Sequence, residues 1–394
     1  LFLDKYEEKM YNGEYGWAFQ VSMRILTRLG DLFGADRLIT ITSSHLSGIS
    51  YKTLGDAPID FLEAIVEANG KVMVPTTTNP CGIDRQYVAA KLPEAYVKKQ
   101  RYILDLYAKM GVKKTLTCTP YYLKKPISNS HLAWAESSAV IYANSVLNAW
   151  TNREGGPSAL AAALVGKTPN YGLHKPENRQ PHILVNLETK IENETEIGAL
   201  GIYLGKQIRE KIPAFKNLSI NTTKEELKQL GAALASSGMT NLFYMDTTPE
   251  AKKHGLETIS IEDRDIKTTI ESLSANNEKS PDLVFIGCPH CSAKEIAKVA
   301  KALEKRKIIK GKELWICTSH HIKEKSKQNI QIIESAGGKV ICDTCAVVTW
   351  LKDLNINNVM TNSAKTAYYL PLLNKVEATL APLNHCIKTV TKPQ

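Results

Sequence analysis

What is missing from the 394 residues narrows the field first. No window is apolar without interruption over the length that spans a bilayer. The opening residues, LFLDKYEEKMYNGEYG, carry four acids and lack an apolar signal core followed by a cleavage site, which predicts a cytoplasmic chain. Aromatics are only 7% of the composition and are not interleaved with the lysines, which are scattered over stretches such as 294–310. A nucleic-acid groove is therefore not expected in spite of a net charge of +10. That field suits a solvated surface, an acidic partner chain or an anionic metabolite. There is no internal repeat and no low-complexity tract. What remains, 43% hydrophobic and 23% charged, is a globular composition of two or three domains.

Eight cysteines are present, at 81, 118, 288, 291, 317, 342, 345 and 386. A disulfide framework is not expected in a cytoplasmic chain of this size, which leaves metal binding, catalysis or plain burial.

Strands and helices alternate in the pattern. Residues 21–29 read as a helix closed by Gly30, 37–42 as a strand, 43–52 as a polar loop and 59–68 as a helix. A strand at 71–75, a helix at 94–110 and a strand at 114–118 follow, then a long loop at 168–181. Further on come strands at 182–187, 241–244 and 257–261, with helices at 194–212 and 224–236, the latter capped by Thr222 or Thr223. Strands at 282–287, 313–316 and 339–341 alternate with helices at 293–305 and 322–336. The alternation predicts an α/β fold with largely parallel sheets flanked by helices. Three domains are expected: 1–190, a smaller cysteine-free 191–275, and 276–394. Ligands bind beyond the carboxyl ends of such strands, where SSHLSGIS, TTTNPCG and CTPYY form short polar arms.

Residues 136–160, ESSAVIYANSVLNAWTNREGGPSAL, stand out. Ala135, Ala139, Tyr142, Ala143 and Val146 recur at helical spacing, so a small-residue face packs closely against something. Asn152 to Pro157 then reverse the chain. Gly155 and Gly156 offer backbone N–H groups and Arg153 a positive fork for a carboxylate or phosphate, while a buried helix followed by an ordinary turn is the plainer alternative.

Cys118, Cys288, Cys317 and Cys342 each close an expected strand, with Cys345 just beyond. Cys288/Cys291 and Cys342/Cys345 are both C-x-x-C pairs and together suit a four-cysteine zinc site. A redox pair or an iron–sulfur cluster held from distant strand ends is also open. On spacing alone, burial or zinc ranks ahead of the cluster.

The longer motifs add a resemblance. NGEYGWA (12–18), SSHLSGISYKTLGDA (43–57), TTTNP (76–80), TCTPYY (117–122) and the run from ESSAV to NYGLH (136–174) are followed by GCPHCS (287–292), DTCAVV (343–348) and TNSAKTAYYLP (361–371). In this order the chain resembles the aconitase X family over nearly its whole length. The resemblance implies an aconitase-like multi-domain fold and a [4Fe–4S] cluster on Cys118, Cys288 and Cys345. Cys291 and Cys342 would then be neighbours, and Cys81, Cys317 and Cys386 structural. One iron left open by three ligands would act as a Lewis acid on a substrate hydroxyl and carboxylate.

The implied reaction, in the archaeal branch, is dehydration of (R)-5-phosphomevalonate to trans-anhydromevalonate 5-phosphate, on an alternative mevalonate route to isoprenoids. A β-hydroxy acid needs a leaving-group acceptor, anchors for carboxylate and phosphate, and a base near the α-carbon. Gly48, Ile49, Ser50, Asn79 and Pro80 are the expected cradle, closed by Asn144, Ser145 and Lys365, with Arg153 for an anion. The plainer alternatives are a solvated helix lysine for Lys365 and a structural ion pair for Arg153. The resemblance places the base, a serine, on a separate small subunit carrying a swivelling domain, so a heterodimer is expected and no catalytic base is assigned in this chain. Relatives acting on a hydroxyproline, and a zinc- or thiol-stabilised scaffold that only binds a partner, are the competing functions.

Overall fold

The computed structural model describes residues 1–218, 222–245, 248, 255–275 and 280–393. The chain divides into two compact units, Leu1–Cys81 with Pro93–Gln180, and Gly82–Leu92 with Pro181–Gln394. Among the described residues no helix is long and apolar enough to cross a membrane.

The first unit opens with helix Lys5–Asn12, started by an Asp4/Glu7 capping box and ended by Gly13 in the left-handed region. Helix Trp17–Leu32 follows. It runs past Gly30, where the sequence predicts its end, because that glycine makes room for a neighbour: a Cβ there would lie 2.3 Å from the Leu1 side chain. Met23, Leu26, Leu38, Ile41, Ala161, Ala162 and Val165 share one core cluster, so this helix packs on helix Gly156–Val165. Strand Leu38–Thr40 pairs antiparallel with Lys167–Pro169.

The parallel sheet of this unit has the order Thr76–Thr78, Ser44–Leu46, Ala133–Trp134. Two expectations are corrected here. The segment read as a polar loop at 43–52 supplies the central strand, and the strand expected at 71–75 forms at Thr76–Thr78. Hydroxyls and an imidazole can occupy a buried strand when each finds a partner. Ser44 Oγ lies 2.9 Å from the carbonyls of Ala133 and Ala159, and His45 Nδ1 is 2.7 Å from Thr77 Oγ1. The strand expected at 114–118 does not form. Thr115 and Thr78 side chains bond across to the facing backbone, with Thr78 N–H donating to Thr115 Oγ1 at 3.0 Å and Leu116 N–H to Thr78 Oγ1 at 3.2 Å. Side chains thus replace the ladder. The expected loop at 168–181 holds short 3-10 turns at Gly172–His174 and Pro176–Arg179.

The second unit carries two parallel sheets. One has the order Pro213–Lys216, Ile183–Leu187, Glu257–Ile261. Helices Glu194–Ile208 and Lys224–Ser237 pack together beside it through Gly201, whose Cβ would stand 2.8 Å from the Leu230 carbonyl. Thr223 caps the second of them, with Glu226 completing the box. The strand expected at 241–244 reduces to a bridge between Tyr244 and Ala214. The other sheet has the order Lys339–Ile341, Glu313–Cys317, Leu283–Ile286, Asn358–Thr361, Glu377–Leu380. Leu283–Ile286 is buried throughout, as the central strand of a covered parallel sheet should be. The helix expected at 322–336 is two helices, His320–Lys325 and Lys327–Ser335, broken at Ser326.

The segment Gly82–Leu92 belongs to this second unit although its neighbours in sequence do not. Tyr87 fixes it. Its hydroxyl donates to Glu313 Oε1 at 2.5 Å, and Lys91 and Lys339 stand over its ring at 4.2 and 3.7 Å from the centroid.

Candidate functional site

In the first unit the SGIS loop leaves the central strand at its carboxyl end. Gly48 sits at φ +72°, where a side chain would be strained. Gln100, fully buried, clamps the loop from both sides: its Nε2 donates to the Ile49 carbonyl at 2.9 Å and its Oε1 accepts from Tyr51 N–H at 2.9 Å. Gly156 lets helix Gly156–Val165 approach, since a Cβ there would stand 3.1 Å from the Ser47 carbonyl. Ser50 is buried and precedes helix Tyr51–Leu54.

Asn79 lies at the end of the adjacent strand, its N–H on the Leu46 carbonyl at 2.8 Å. Its amide joins a buried relay. Asn79 Nδ2 donates to Glu136 Oε2 at 2.8 Å, which turns Oδ1 toward His45 Nε2 at 3.3 Å. That orientation makes His45 Nε2 the protonated nitrogen and leaves Nδ1 to accept from Thr77. Burial pulls the His45 pKa down to about 4, against the opposing pull of Asn79 and Glu136, so the ring is neutral. Glu136 Oε1 accepts from Ser138 N–H and Oγ, capping helix Ser137–Val146. Every residue from 137 to 144 of that helix is buried, so it is enclosed on all sides and not merely along the small-residue face.

Asn144 is occupied by the protein itself. Its Nδ2 donates to the Thr151 carbonyl at 2.9 Å, and its Oδ1 accepts from Thr151 N–H and from Arg179 Nη1, each at 3.1 Å. Ser145 is half-buried. Arg153 is exposed and bridges to Trp134 in parallel register. Gly155 N–H donates to Ser158 Oγ at 3.0 Å, which leaves less of the expected N–H nest for an anion. Cys118 is buried, next to Thr117, whose N–H donates to the Thr78 carbonyl at 3.0 Å.

In the second unit Cys288, Cys317 and Cys342 stand at the carboxyl ends of three adjacent strands, in agreement with the sequence pattern. Gly287 bends the chain into Cys288 at φ +118°, passing so close to the next strand that a Cβ would meet the Cys317 carbonyl oxygen at 2.3 Å. The Cys288–Pro289 bond is cis. Ser363 Oγ donates to the Cys288 carbonyl at 2.5 Å. The Cys345 turn is clamped by Asn374, whose Nδ2 donates to the Ala346 and Val347 carbonyls at 3.1 and 3.0 Å, while His290 Nε2 lies 3.2 Å from the Thr344 carbonyl. Burial first, and the nearby Cys288 second, push the Cys345 thiol up to about 12, and Lys365 pulls the other way. Lys365 is itself buried beside this thiol, at 7% exposure, which removes the solvated-lysine alternative.

All eight cysteines are free and buried. Cys386 donates to the Ala381 carbonyl, and Cys291 N–H to the Cys317 carbonyl. Among the described residues no three His, Cys, Asp or Glu side chains converge as a closed metal site. What the second unit offers is a pair of neighbouring buried thiols, Cys288 and Cys345, with a cation alongside. His45, Gln100, Glu136, Ser363 and Asn374 were not singled out by sequence reasoning. The place of His45, Glu136 and Ser363 inside the long motifs, and of Asn374 just beyond one, was the only hint of them, and Gln100, in the helix at 94–110, had none.

Three family models cover the chain in order: the aconitase X first domain at residues 1–177, the second domain at 181–271 and the third domain at 281–392. The phosphomevalonate dehydratase large subunit of Methanocaldococcus jannaschii is 43% identical over 98% of this chain and 100% of its own. The cis-3-hydroxy-L-proline dehydratase of Pseudomonas aeruginosa is 30% identical over 98% of this chain and 69% of its own. The crystal structure of Thermococcus kodakaraensis aconitase X in its holo-form superposes with a TM-score of 0.93 at 43% identity, covering 99% of this chain and 100% of that one.

Proposed function

Because the chain belongs to the aconitase X family, we propose that it is the large subunit of a phosphomevalonate dehydratase, a hydro-lyase that removes water from (R)-5-phosphomevalonate to give trans-anhydromevalonate 5-phosphate. The observation that carries this reading is the end-to-end likeness to the M. jannaschii large subunit, well above that to the hydroxyproline dehydratase. Hydroxyproline is the second substrate reading. The chain is read as three domains, 1–190, 191–275 and 276–394, working in the cytoplasm.

A [4Fe–4S] cluster on Cys118, Cys288 and Cys345 suits the donor chemistry. The thiols are buried, none is spent in a disulfide, and two of them are electrostatic neighbours. When bound, such a cluster supplies a Lewis-acidic iron for a departing hydroxyl. The chain's own residues do the rest. Lys365, kept dry beside Cys345, offers a positive charge to a substrate carboxylate at full strength. The SGIS loop, held by Gln100, presents Gly48, Ile49 and Ser50 in one conformation, and the Asn79 and Pro80 turn is fixed by the His45 relay. Asn144 acts through Thr151 and Arg179, supporting the helix that carries Ser145. Arg153, exposed, takes the phosphate. The α-proton goes to a serine of a separate small subunit, and the active unit is a heterodimer.

The test is an assay of the iron- and sulfide-reconstituted chain with and without the small subunit. Dehydration of phosphomevalonate is expected only with both. Full activity of the large chain alone overturns the base assignment, and conversion of hydroxyproline but not phosphomevalonate by the pair overturns the substrate.

A further inference from the structure

A narrow cleft of about 30 Å³ lies wholly within the second unit, between helices Lys224–Ser237 and Ala293–Ala302 and beside the carboxyl end of strand Leu283–Ile286. That volume gives room for about one or two water-sized groups, too little for a phosphate or a sugar ring. Ile286, Val299 and Leu383 are its apolar walls, and Glu194, Glu225, Glu226 and Glu295 stand around it. The substrate proposed above is an anion, which four carboxylates repel, so this cleft is a separate site.

Each glutamate spends one oxygen on the protein. Glu194 Oε1 accepts from Leu383 N–H at 3.0 Å and Asn362 Nδ2 at 3.3 Å, and Glu225 Oε1 accepts from Ser292 Oγ at 3.0 Å. Glu226 Oε2 accepts from Thr223 N–H at 2.7 Å, and Glu295 Oε2 from Ser292 N–H at 2.7 Å and Lys228 Nζ at 2.5 Å. The second oxygen of each has no hydrogen-bond partner among the described residues. Lys298, the cation on the rim, forms no ion pair with any of them.

The independent sign of a ligand is Gln229. It follows Glu225 and Glu226 by one turn of the same helix, so the three side chains share the face that lines the cleft. Gln229 is only 5% exposed, yet its side-chain amide has no hydrogen-bond partner among the described residues. It is not one of the sealed polar atoms of the interior, and the surface it keeps lines the cleft. A buried amide left unmatched costs more than an average hydrogen bond returns, so its carbonyl points to a donor from outside the chain.

The occupant that fits is small, positively charged and rich in N–H donors. We propose that the cleft binds the head of a primary alkylammonium: its N–H groups go to Gln229 Oε1 and to the second oxygens of the glutamates, and its first methylenes lie on Ile286, Val299 and Leu383. A hard metal ion needs oxygens on every side, whereas here no three acidic side chains converge and the remaining walls are hydrocarbon. A quaternary ammonium carries the charge but has no N–H for Gln229 and too broad a head for the cleft. The head belongs to a free aliphatic amine or to a lysyl side chain of the small subunit, which present the same chemistry.

The test is titration calorimetry of the full large chain, and of its complex with the small subunit, with n-butylammonium as the probe at neutral pH and low salt. The large chain should bind it, and neither tetramethylammonium nor potassium should displace it. Gln229→Met should weaken binding about tenfold or more, as should Glu225→Gln, with melting curves showing that both variants are folded. Lys298→Ala, an exposed change that removes a competing positive charge, should strengthen binding severalfold. Binding that persists in the complex marks a free amine as the natural ligand, and binding that is lost there marks a lysyl side chain of the small subunit. The large-chain arm reads the cleft whether or not the dehydratase assignment holds. Absence of binding to the large chain, equal displacement by tetramethylammonium or potassium, or parent affinity in both the Gln229 and Glu225 variants overturns the proposal.

Discussion

Replacing Gly287 with alanine should be among the costliest single-methyl additions to this protein. The new Cβ would lie 2.3 Å from the Cys317 carbonyl oxygen, 2.9 Å from the Cys317 nitrogen and 3.0 Å from its carbonyl carbon. These are backbone atoms of a central sheet strand and cannot rotate away, so strands Leu283–Ile286 and Glu313–Cys317 must separate by roughly 1 Å at their carboxyl ends, given ordinary van der Waals contact near 3.5 Å. Overpacking of this kind costs about 1–3 kcal/mol. The φ of +118° adds about 1–2 kcal/mol for a residue with a side chain. A sum of about 2–5 kcal/mol on a unit of this size lowers Tm by at least about 4 °C. Differential scanning calorimetry with urea melts as a cross-check reads it directly. Because the strain lands on Cys288, iron retention after gel filtration should fall in parallel. A Gly287→Ala protein that melts within 2 °C of the parent, by the same arithmetic, would refute the close-approach account.

Three more outcomes are expected. His45 takes its proton near pH 6.5 when unfolded and near 4 when folded, so the unfolded chain binds more protons between those values. Stability should therefore fall as pH drops through that window, by up to roughly 2–3 kcal/mol at pH 4, and His45→Gln should flatten the acid limb of a pH–stability curve; an unchanged limb would contradict this. Lys228, fully buried, holds Glu295 at 2.5 Å and the His290 carbonyl at 3.1 Å, so Lys228→Met should cost about 3 kcal/mol in urea melts, with much of it recovered when Glu295→Gln is added. Lys365→Ala should lower kcat/KM of the reconstituted complex about 10²-fold or more with little change in melting temperature; a loss smaller than threefold would remove it from the site.

The helical periodicities were legible because amphipathic spacing survives in the sequence, as at 94–110 and 224–236. The strands of the first unit were not. Ser44, His45, Thr76 and Thr78 look like loop residues, and only the structure reveals that each has a buried partner. Conversely, 114–118 reads as a strand and loses its ladder to threonine hydroxyls. The cysteine positions at strand ends were visible from pattern alone in the second unit, where hydrophobic runs are long enough to define register. Lys365 illustrates the limit differently: a lysine in a helix is usually solvated, and neither composition nor spacing could announce that it is dry. Asp343 and Arg85 lie far apart in the chain, and no local pattern signals their meeting.

The excursion of residues 82–92 has a practical corollary for anyone dissecting this molecule. Severing the backbone after Gln180 does not liberate a complete half, because the C-terminal piece comes away without the eleven-residue insert that Glu313 and Lys339 grip through Tyr87. Such a truncated fragment should be poorly behaved by itself and should improve when a synthetic peptide of that insert is supplied in trans, whereas a Tyr87→Ala peptide should rescue it less well.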